Sequence, residues 1–318
     1  DLWVSADDQR YGLPKDWDTV AIFYNKQMLA DAGVDEAELQ DLTWNPQDGG
    51  SYEDLIARLT VDEKGTRGDE PGFDKDNVAV YGLGLENSGG PIGQTQWSMY
   101  AGTTGWTSTD QPTWGTQYNY DDPRFQETIA WWRSLIEKGY MPTLEAATAG
   151  VSVSDAYAAG KAALNTNGSW MIGTYVGYDG IETGVAPTPT GPNGTRASMF
   201  NGLADSIYAG TDNQEGAWEW VKFLGSAECQ SLVAEKAVVF PALPGPLEEA
   251  VSNFEANGVE VSAFTTHVEE ETTFLYPITE HAADVEAILA PMMDAIVAGK
   301  EDATVLTKAN EQVNALFQ

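Results

Sequence analysis

The stretch YGLPKDWDTVAIFYNK, which runs from Tyr11 to Lys26, decides the fold of this chain. Residues 17–24 within it are mostly apolar, and their pattern predicts a buried strand. Asn25 ends the strand, and residues 26–32 are predicted to form a short helix that Gly33 terminates. A buried strand that passes directly into a helix is typical of an α/β layer.

The rest of the chain alternates short apolar runs with helical periodicity, which also implies an α/β fold. Ser154 is the predicted cap of a helix over 155–159. The sequence Gly168-Ser169-Trp170 predicts a turn into a helix N-terminus, where free amides can meet a ligand oxygen. Further strands are predicted at 78–85, 162–165 and 203–209, and further helices at 125–136, 214–224, 226–236, 246–256, 285–296 and 305–316.

The charge and the cysteine count exclude several classes of function. A net charge of −33 argues against nucleic acid or an anionic membrane surface as a direct partner, because both require clustered Lys and Arg. Cys229 is the single cysteine, so the chain has no internal disulfide and no CxxC motif. His267 and His281 match no metal-ligand spacing, and no run of 18 apolar residues is present. We therefore expect a monomeric acidic protein without metal or cofactor.

Enzyme motifs are absent from the sequence. It has no GxSxG elbow, no Walker A loop and no GxGxxG fingerprint after a strand. A glycosidase needs two facing carboxylates, but among 49 acidic residues such a pair can always be imagined and has no weight. We therefore predict no catalytic residues.

Four of the eleven tryptophans indicate a carbohydrate ligand. Trp17, Trp97, Trp106 and Trp170 each stand beside small or hydrogen-bonding residues, outside any clear helical or alternating pattern. An indole ringed by amides, carboxylates and hydroxyls suits a sugar, whose C–H face stacks while its hydroxyl groups form hydrogen bonds. The alternative is core packing, since tryptophan is highly buried on average.

Three other tryptophans are predicted to lie in the core. Trp132, Trp218 and Trp220 fall on helices with an apolar stripe, and such a stripe normally faces the interior.

The motifs resemble a known family, the extracellular solute-binding proteins of ABC sugar importers, the class that includes maltose-binding protein. The resemblance covers essentially the whole chain, and its most specific parts are the stretch 11–26 and the stretch Ala159-Gly160-Lys161-Ala162-Ala163-Leu164 leading to Gly168-Ser169-Trp170. Weaker matches are Thr43-Trp44 followed by residues 52–55, Asn201-Gly202-Leu203-Ala204 through Ala209, and the helix over 217–224.

The resemblance implies a type II periplasmic-binding-protein-like fold, with two α/β lobes that close on a ligand around a hinge. The expected division is 1–25 for a partial N-terminal lobe and first crossing segment, 26–85 for a segment returning between lobes, 86–240 mainly for the C-terminal lobe, and 241–318 for helices packing across both. In the family, about a hundred residues with the first βαβ units precede the stretch 11–26, so the N-terminal lobe is expected to be incomplete and to expose apolar surface.

The resemblance also implies the ligand-binding residues. Trp170 is expected to be a stacking platform, and Trp97 or Trp106 a second. Asp16, Gln94 and Asn201 are expected to form hydrogen bonds with sugar hydroxyls, and Trp17 and Asp18 to face the same cleft. Asp16 and Asp18 would point to one face of their strand and away from Trp17.

The expected function is therefore that of the substrate-binding component of an ABC transporter, which captures a mono- or oligosaccharide and delivers it to the permease. Expected partners are the sugar and the permease subunits, and the expected location is the cell surface, through a lipid anchor, or the periplasm. A protein that binds a polyamine or another polar solute is the alternative, because the negative charge permits a cationic ligand. A carbohydrate-active hydrolase is a weaker alternative.

Overall fold

The structure, a computed structural model, describes residues 2–86, 90–149 and 152–318. The strands are β1 (Leu13–Pro14), β2 (Asp16–Trp17), β3 (Val20–Asn25), β4 (Val61–Asp62), β5 (Val78–Leu83), β6 (Ala162–Gly168), β7 (Thr183–Ala186), β8 (Ser198–Phe200), β9 (Ala204–Asp205), β10 (Phe240–Pro241) and β11 (Thr273–Leu275). The helices are α1 (Lys26–Asp31), α2 (Gly50–Leu59), α3 (Ser98–Gly102), α4 (Pro123–Glu137), α5 (Leu144–Thr148), α6 (Val153–Ala158), α7 (Ile172–Val176), α8 (Gln214–Leu224), α9 (Ala227–Glu235), α10 (Pro244–Ala256), α11 (Ser262–Glu269), α12 (Ala282–Val297) and α13 (Val305–Asn314). Short 3-10 helices span Glu36–Asp41, Gly90–Ile92, Ser169–Met171 and Ala315–Phe317.

A five-stranded sheet in the order β4-β5-β6-β3-β7 organises the described chain. β5 and β6 run parallel, while β3 is antiparallel to both of its neighbours, β6 and β7. Three two-stranded ribbons lie outside this sheet, namely β1–β9, β2–β10 and β8–β11. The mixture of helices and sheet confirms the predicted α/β class.

The strand that decides the fold, β3, is buried on both faces. Val20, Ile22 and Tyr24 contribute to one hydrophobic cluster, and Ala21 and Phe23 contribute to a second. Alternate residues of a strand point to opposite faces, so a strand that is apolar at every position needs cover on both sides. Burial of each large side chain stabilises the fold by roughly 1.5–3 kcal/mol, which fits an interior position of this strand, between β6 and β7.

The predicted strand over 17–24 is interrupted in the structure. β2 ends at Trp17 and β3 begins at Val20, and between them the backbone of Asp18 pairs with Asn201. The predicted strand over 203–209 shortens to β9, and the sequence analysis did not identify α11. Short ribbons depend on pairing partners that are distant in sequence, so a local pattern does not fix their ends.

The predicted cap of α6 was wrong by two residues. The Oγ of Ser152, not that of Ser154, accepts a hydrogen bond from the backbone N–H of Asp155, at 3.1 Å. Replacing Ser152 with alanine is expected to lower the free energy of unfolding by about 1 kcal/mol, because an amide at the helix N-terminus loses its acceptor. Ser154→Ala is the matched control, and urea denaturation of both variants tests the assignment. A larger loss for Ser154→Ala would contradict it.

The prediction that Trp218 and Trp220 lie in the core was wrong. They are 48% and 60% exposed, respectively, and Val221 is the residue of α8 that is buried. Periodicity shows which face of a helix is apolar, but it does not show that anything covers that face. Trp132, in contrast, is buried as predicted. Other large apolar side chains exposed in the same part of the sequence are Leu203, Ile207, Tyr208, Phe223, Leu232 and Val238.

None of the helices in the described ranges is both long and apolar enough to cross a lipid bilayer.

Candidate functional site

One edge of the five-stranded sheet collects most of the predicted site residues. The carboxyl ends of the parallel strands β5 and β6 meet there, and antiparallel β3 begins at the same edge, with Val20 opposite Gly168. In α/β sheets, ligands bind beyond the carboxyl ends of parallel strands. The edge therefore brings Asp18 next to Ser169 and Trp170, residues that are far apart in sequence.

Asp18 forms hydrogen bonds with two separate segments of the chain at this edge. Its carboxylate accepts a hydrogen bond from Ser169 Oγ at 2.7 Å and another from the backbone N–H of Trp170. Its backbone N–H and C=O both pair with Asn201, at 2.9 and 3.0 Å. Asp18 is only 5% exposed, so its carboxylate is held in a defined position by two separate segments of the chain.

Burial perturbs the titration of both acids in the tract. Burial raises the pKa of Asp18 to about 6, and the negative charge of Asp16 adds to this rise, whereas the hydrogen bond from Ser169 opposes it. Burial also raises the pKa of Asp16, against the effect of a hydrogen bond from the backbone N–H of Leu203. Carboxylates with perturbed pKa values are frequent at functional sites.

Trp170 is the predicted platform that keeps exposed surface. It is half-buried, and its six-membered ring lies against the backbone of Gly168, where an added Cβ would come within 2.0 Å of the ring. A side chain at position 168 would therefore displace the indole. The sequence Gly168-Ser169-Trp170 forms the predicted turn, which leads through the 3-10 helix Ser169–Met171 into α7.

The other polar candidates lie around this edge. Leu203 donates its backbone N–H to Asp16 at 2.6 Å. Gln94 is 6% exposed, and its Nε2 is a buried donor for which no hydrogen-bond acceptor is found in the described residues. Asn201 is half-buried beside Asp18. Gln94 thus has an amide available for a ligand oxygen, since a buried donor without an acceptor is costly.

The other three predicted tryptophans are buried and pack against aromatic rings of the two hydrophobic clusters. Trp17 stacks on Phe240, with ring centroids 4.7 Å apart, and belongs to the second hydrophobic cluster. Trp106 stacks on Phe125 at 4.3 Å, and Trp97 packs edge-on against the same ring at 5.0 Å. Hydrogen-bonding residues flank these tryptophans in the sequence, which makes the surrounding loops polar. The indole rings nevertheless point into the core, as is common for tryptophan.

A separate cavity of about 590 Å³ lies between α3, β8 and β11. Trp97 and Trp106 contribute to its wall, but Asp16, Asp18, Gln94, Trp170 and Asn201 do not. Its volume is within the range of ligand pockets. The predicted residues thus divide between two places: the sheet edge holds Asp16 and Asp18 near the half-buried Trp170, whereas Trp97 and Trp106 at the cavity are buried.

Two residues of the edge were not identified from the sequence. Glu86 lies three residues beyond the end of β5 and accepts a hydrogen bond from Asn167 Nδ2 at 2.7 Å. Both side chains are buried. Two signals for these residues were available in the sequence. Asn and Thr interrupt the otherwise apolar β6, and a charged residue follows the predicted strand over 78–85. Buried polar groups are normally hydrogen-bonded, so such residues indicate a polar partner nearby.

Comparison with known proteins identifies related sequences. The family model described as "Bacterial extracellular solute-binding protein" matches residues 2–257. A putative binding protein of Brucella abortus (strain 2308) is 22% identical over 323 residues, an alignment that covers 98% of this chain and 69% of the relative.

Three solved structures illustrate the shared architecture. UspC of M. tuberculosis has a TM-score of 0.80 at 24% identity, covering 99% of this chain and 77% of that one. An ABC substrate-binding protein from Listeria monocytogenes in complex with cycloalternan has a TM-score of 0.78 at 15% identity, covering 98% and 73%. The GacH receptor of Streptomyces glaucescens, described unliganded and in complex with acarbose, has a TM-score of 0.72 at 20% identity, covering 99% and 72%.

Proposed function

Because this chain belongs to the bacterial extracellular solute-binding proteins, we propose that it captures a carbohydrate in an interlobe cleft and delivers it to the permease of an ABC transporter. The TM-scores confirm the predicted type II periplasmic-binding-protein-like fold. The division into segments 1–25, 26–85, 86–240 and 241–318 is part of this proposal, with the sheet edge around Asp18 as one wall of the cleft.

One arrangement supports a sugar more than any other observation. Asp18 is held by Ser169 Oγ and by the backbone N–H of Trp170, so a charged acceptor is fixed beside a half-buried indole. A sugar needs both: a flat apolar surface for its C–H face and strong acceptors for its hydroxyls. We assign Trp170 as the stacking platform, and Asp16, Asp18, Gln94 and Asn201 as hydrogen-bonding residues.

The same arrangement supports a role in ligand binding rather than in catalysis. Asp18 and Asp16 are neighbours on one segment, and both are engaged by hydrogen bonds from within the protein. A glycosidase instead requires two carboxyl groups that face each other across the glycosidic bond. The proposed role is therefore that of a receptor, monomeric, acting outside the cytoplasmic membrane either as a lipid-anchored surface protein or in the periplasm.

A polyamine receptor is the second candidate. The observation that favours it is the burial of Asp16 and Asp18 side by side, since a cationic ligand would compensate their charge. The half-buried Trp170 serves a cation as well as a sugar, through its ring face. The two candidates differ in the ligand, not in the place where it binds.

Titration against a ligand panel tests the proposal. We expect tryptophan fluorescence and calorimetry to show one-to-one saturation with one class among glucose, maltose, maltotriose, trehalose, raffinose, xylobiose and galacto-oligosaccharides. An affinity in the micromolar range corresponds to about −8 kcal/mol. Chromatography after incubation should recover the sugar unchanged.

Spermidine is the control ligand. Saturation by spermidine with no response to any sugar would replace the sugar assignment with the polyamine one. Release of smaller sugars during incubation would contradict the assignment as a receptor and favour a hydrolase.

A further inference from the structure

The cavity between α3, β8 and β11 has no part in the proposed function. It measures about 590 Å³, and aromatic and aliphatic side chains line it, among them Trp106, Met199 and Phe274. Its exposed rim includes Glu270 and Glu271, which follow α11. We propose that this cavity is a second ligand site, which binds a small amphipathic amine with its apolar body inside and its ammonium group at the two carboxylates.

The interior of the cavity suits an apolar body better than a sugar. Trp106 Nε1 donates to the backbone carbonyl of Asn119 at 2.7 Å, and Thr109 Oγ1 donates to the backbone carbonyl of Gln111 at 2.8 Å. These buried polar groups of the wall are therefore already engaged within the protein. A sugar hydroxyl placed against them would lose its hydrogen bonds to water without replacing them, which is costly.

The charges around the cavity are mainly negative. Among the described residues, three acidic side chains border it, Asp110, Glu270 and Glu271, and one basic side chain, that of Arg196. The guanidinium of Arg196 donates to two backbone carbonyls outside the cavity wall, and Asp110 accepts backbone N–H groups of its own loop. Glu270 and Glu271 are exposed at the rim, where their charge is complementary to that of an ammonium group.

Glu271 occupies a backbone position that normally favours glycine. α11 ends at Glu269, and Glu271 has a φ of +55°, in the left-handed region. Its N–H donates to the carbonyl of Val268 at 3.3 Å, and the N–H of Thr272 donates to that of His267 at 2.9 Å, which is the common helix-ending motif with glycine at this position. A side chain here costs stability, and strained positions of this kind cluster at ligand sites. The strain thus supports a role for this carboxylate in binding.

A second segment of the rim is held in place by the tip of its loop. Residues 107–112 border the cavity. At the tip, Trp114 donates its backbone N–H to the carbonyl of Ile278 at 2.6 Å and its Nε1 to the carbonyl of Val4 at 3.1 Å. The cavity is therefore preformed, and a ligand can bind without first ordering this loop.

Calorimetric titration with three indoles tests the proposal, because they share an apolar body and differ in charge. Tryptamine carries an ammonium group, indole is neutral and indole-3-acetate is an anion. We expect tryptamine to bind one-to-one and about fivefold more tightly than indole, which is the effect of a good exposed ion pair, and indole-3-acetate to bind most weakly. High salt should reduce these differences. Absence of saturable tryptamine binding would overturn the site, and equal affinities for all three would overturn its preference for an amine.

Two variants of Glu271 separate the charge from the fold. Glu271→Gln removes the charge and should bring the affinity for tryptamine close to that for indole. Glu271→Gly should have the same effect on binding, but it also relieves the backbone strain, so its melting temperature should rise. A weaker affinity in a more stable protein cannot result from misfolding. Unchanged tryptamine binding by both variants would overturn the role of Glu271.

Ala237 provides the matched control. It takes the same position after α9, with a φ of +47°, and it does not border the cavity. Ala237→Gly should also raise the melting temperature, and it should leave tryptamine binding unchanged. The sugar identified from the panel should not displace tryptamine, since the sugar is assigned to the sheet edge. Competition between the two ligands would place tryptamine at that edge and overturn the second site.

Discussion

Replacement of Trp170 with alanine is expected to weaken sugar binding about 100-fold, a loss of about 3 kcal/mol. The indole is half-buried and rests on the backbone of Gly168, so one of its faces is supported by the protein. Truncation removes the stacking surface and leaves space that water fills. Calorimetry with the sugar identified from the panel measures the change, and Trp170→Phe should retain a large part of the affinity.

The chain provides a matched control for this substitution. Trp218 is 48% exposed on α8 and does not belong to the sheet edge. Trp218→Ala should leave the affinity unchanged. Like Trp170→Ala, it removes one indole from the intrinsic fluorescence, so the two variants are matched in that respect. Equal losses of affinity in the two variants would mean that the ligand does not stack on Trp170.

Replacement of Asp18 with asparagine is expected to have opposite effects on stability and on binding. Burial raises the pKa of the folded carboxyl to about 6, from an ordinary value near 3.8. Between these pH values the folded state binds more protons than the unfolded state, so stability falls as the pH rises through this window. Asparagine cannot ionise, and it should raise the free energy of unfolding at pH 7.5 by about 3 kcal/mol, since each pKa unit corresponds to about 1.4 kcal/mol.

This gain in the free energy of unfolding should shrink as the pH falls toward 4, because the carboxyl of Asp18 is then protonated in the folded state and no buried charge remains to be removed. Denaturation by urea at the two pH values measures this difference. Sugar binding should weaken by about 30-fold at pH 7.5, since the charged acceptor is lost. Asp76→Asn, at an exposed position, should change neither quantity. A destabilised Asp18→Asn protein at pH 7.5 would contradict this account.

The sequence allowed the α/β class and the interior strand β3 to be predicted, because the run Val20 to Tyr24 is apolar at every position. A strand of this kind needs cover on both faces whatever the rest of the chain does. The ribbons could not be predicted in the same way. β9 and β10 pair with β1 and β2, partners about two hundred residues away, and two-residue strands leave no periodicity to detect.

The candidate site was partly predictable for a related reason. Asp18 and Trp170 lie within motifs that a local pattern reveals, and the sheet brings them together. Trp97 and Trp106 were expected at the ligand because of polar neighbours, whereas the orientation of an indole depends on tertiary packing against Phe125. Glu86 was missed since its significance depends on Asn167, which is adjacent only after β5 and β6 have paired.

The exposed aromatic face of α8 has a consequence for how the protein behaves in concentrated solution. Trp218 and Trp220 present indoles to water on a molecule whose net charge is −33. At low ionic strength, mutual repulsion keeps such faces apart, but the screening length falls to about 3 Å in 1 M salt. A kosmotropic salt such as sulfate therefore screens the repulsion between copies of the protein and also strengthens the association of their apolar surfaces. The acidic surface thus opposes self-association through α8 only while the salt concentration is low.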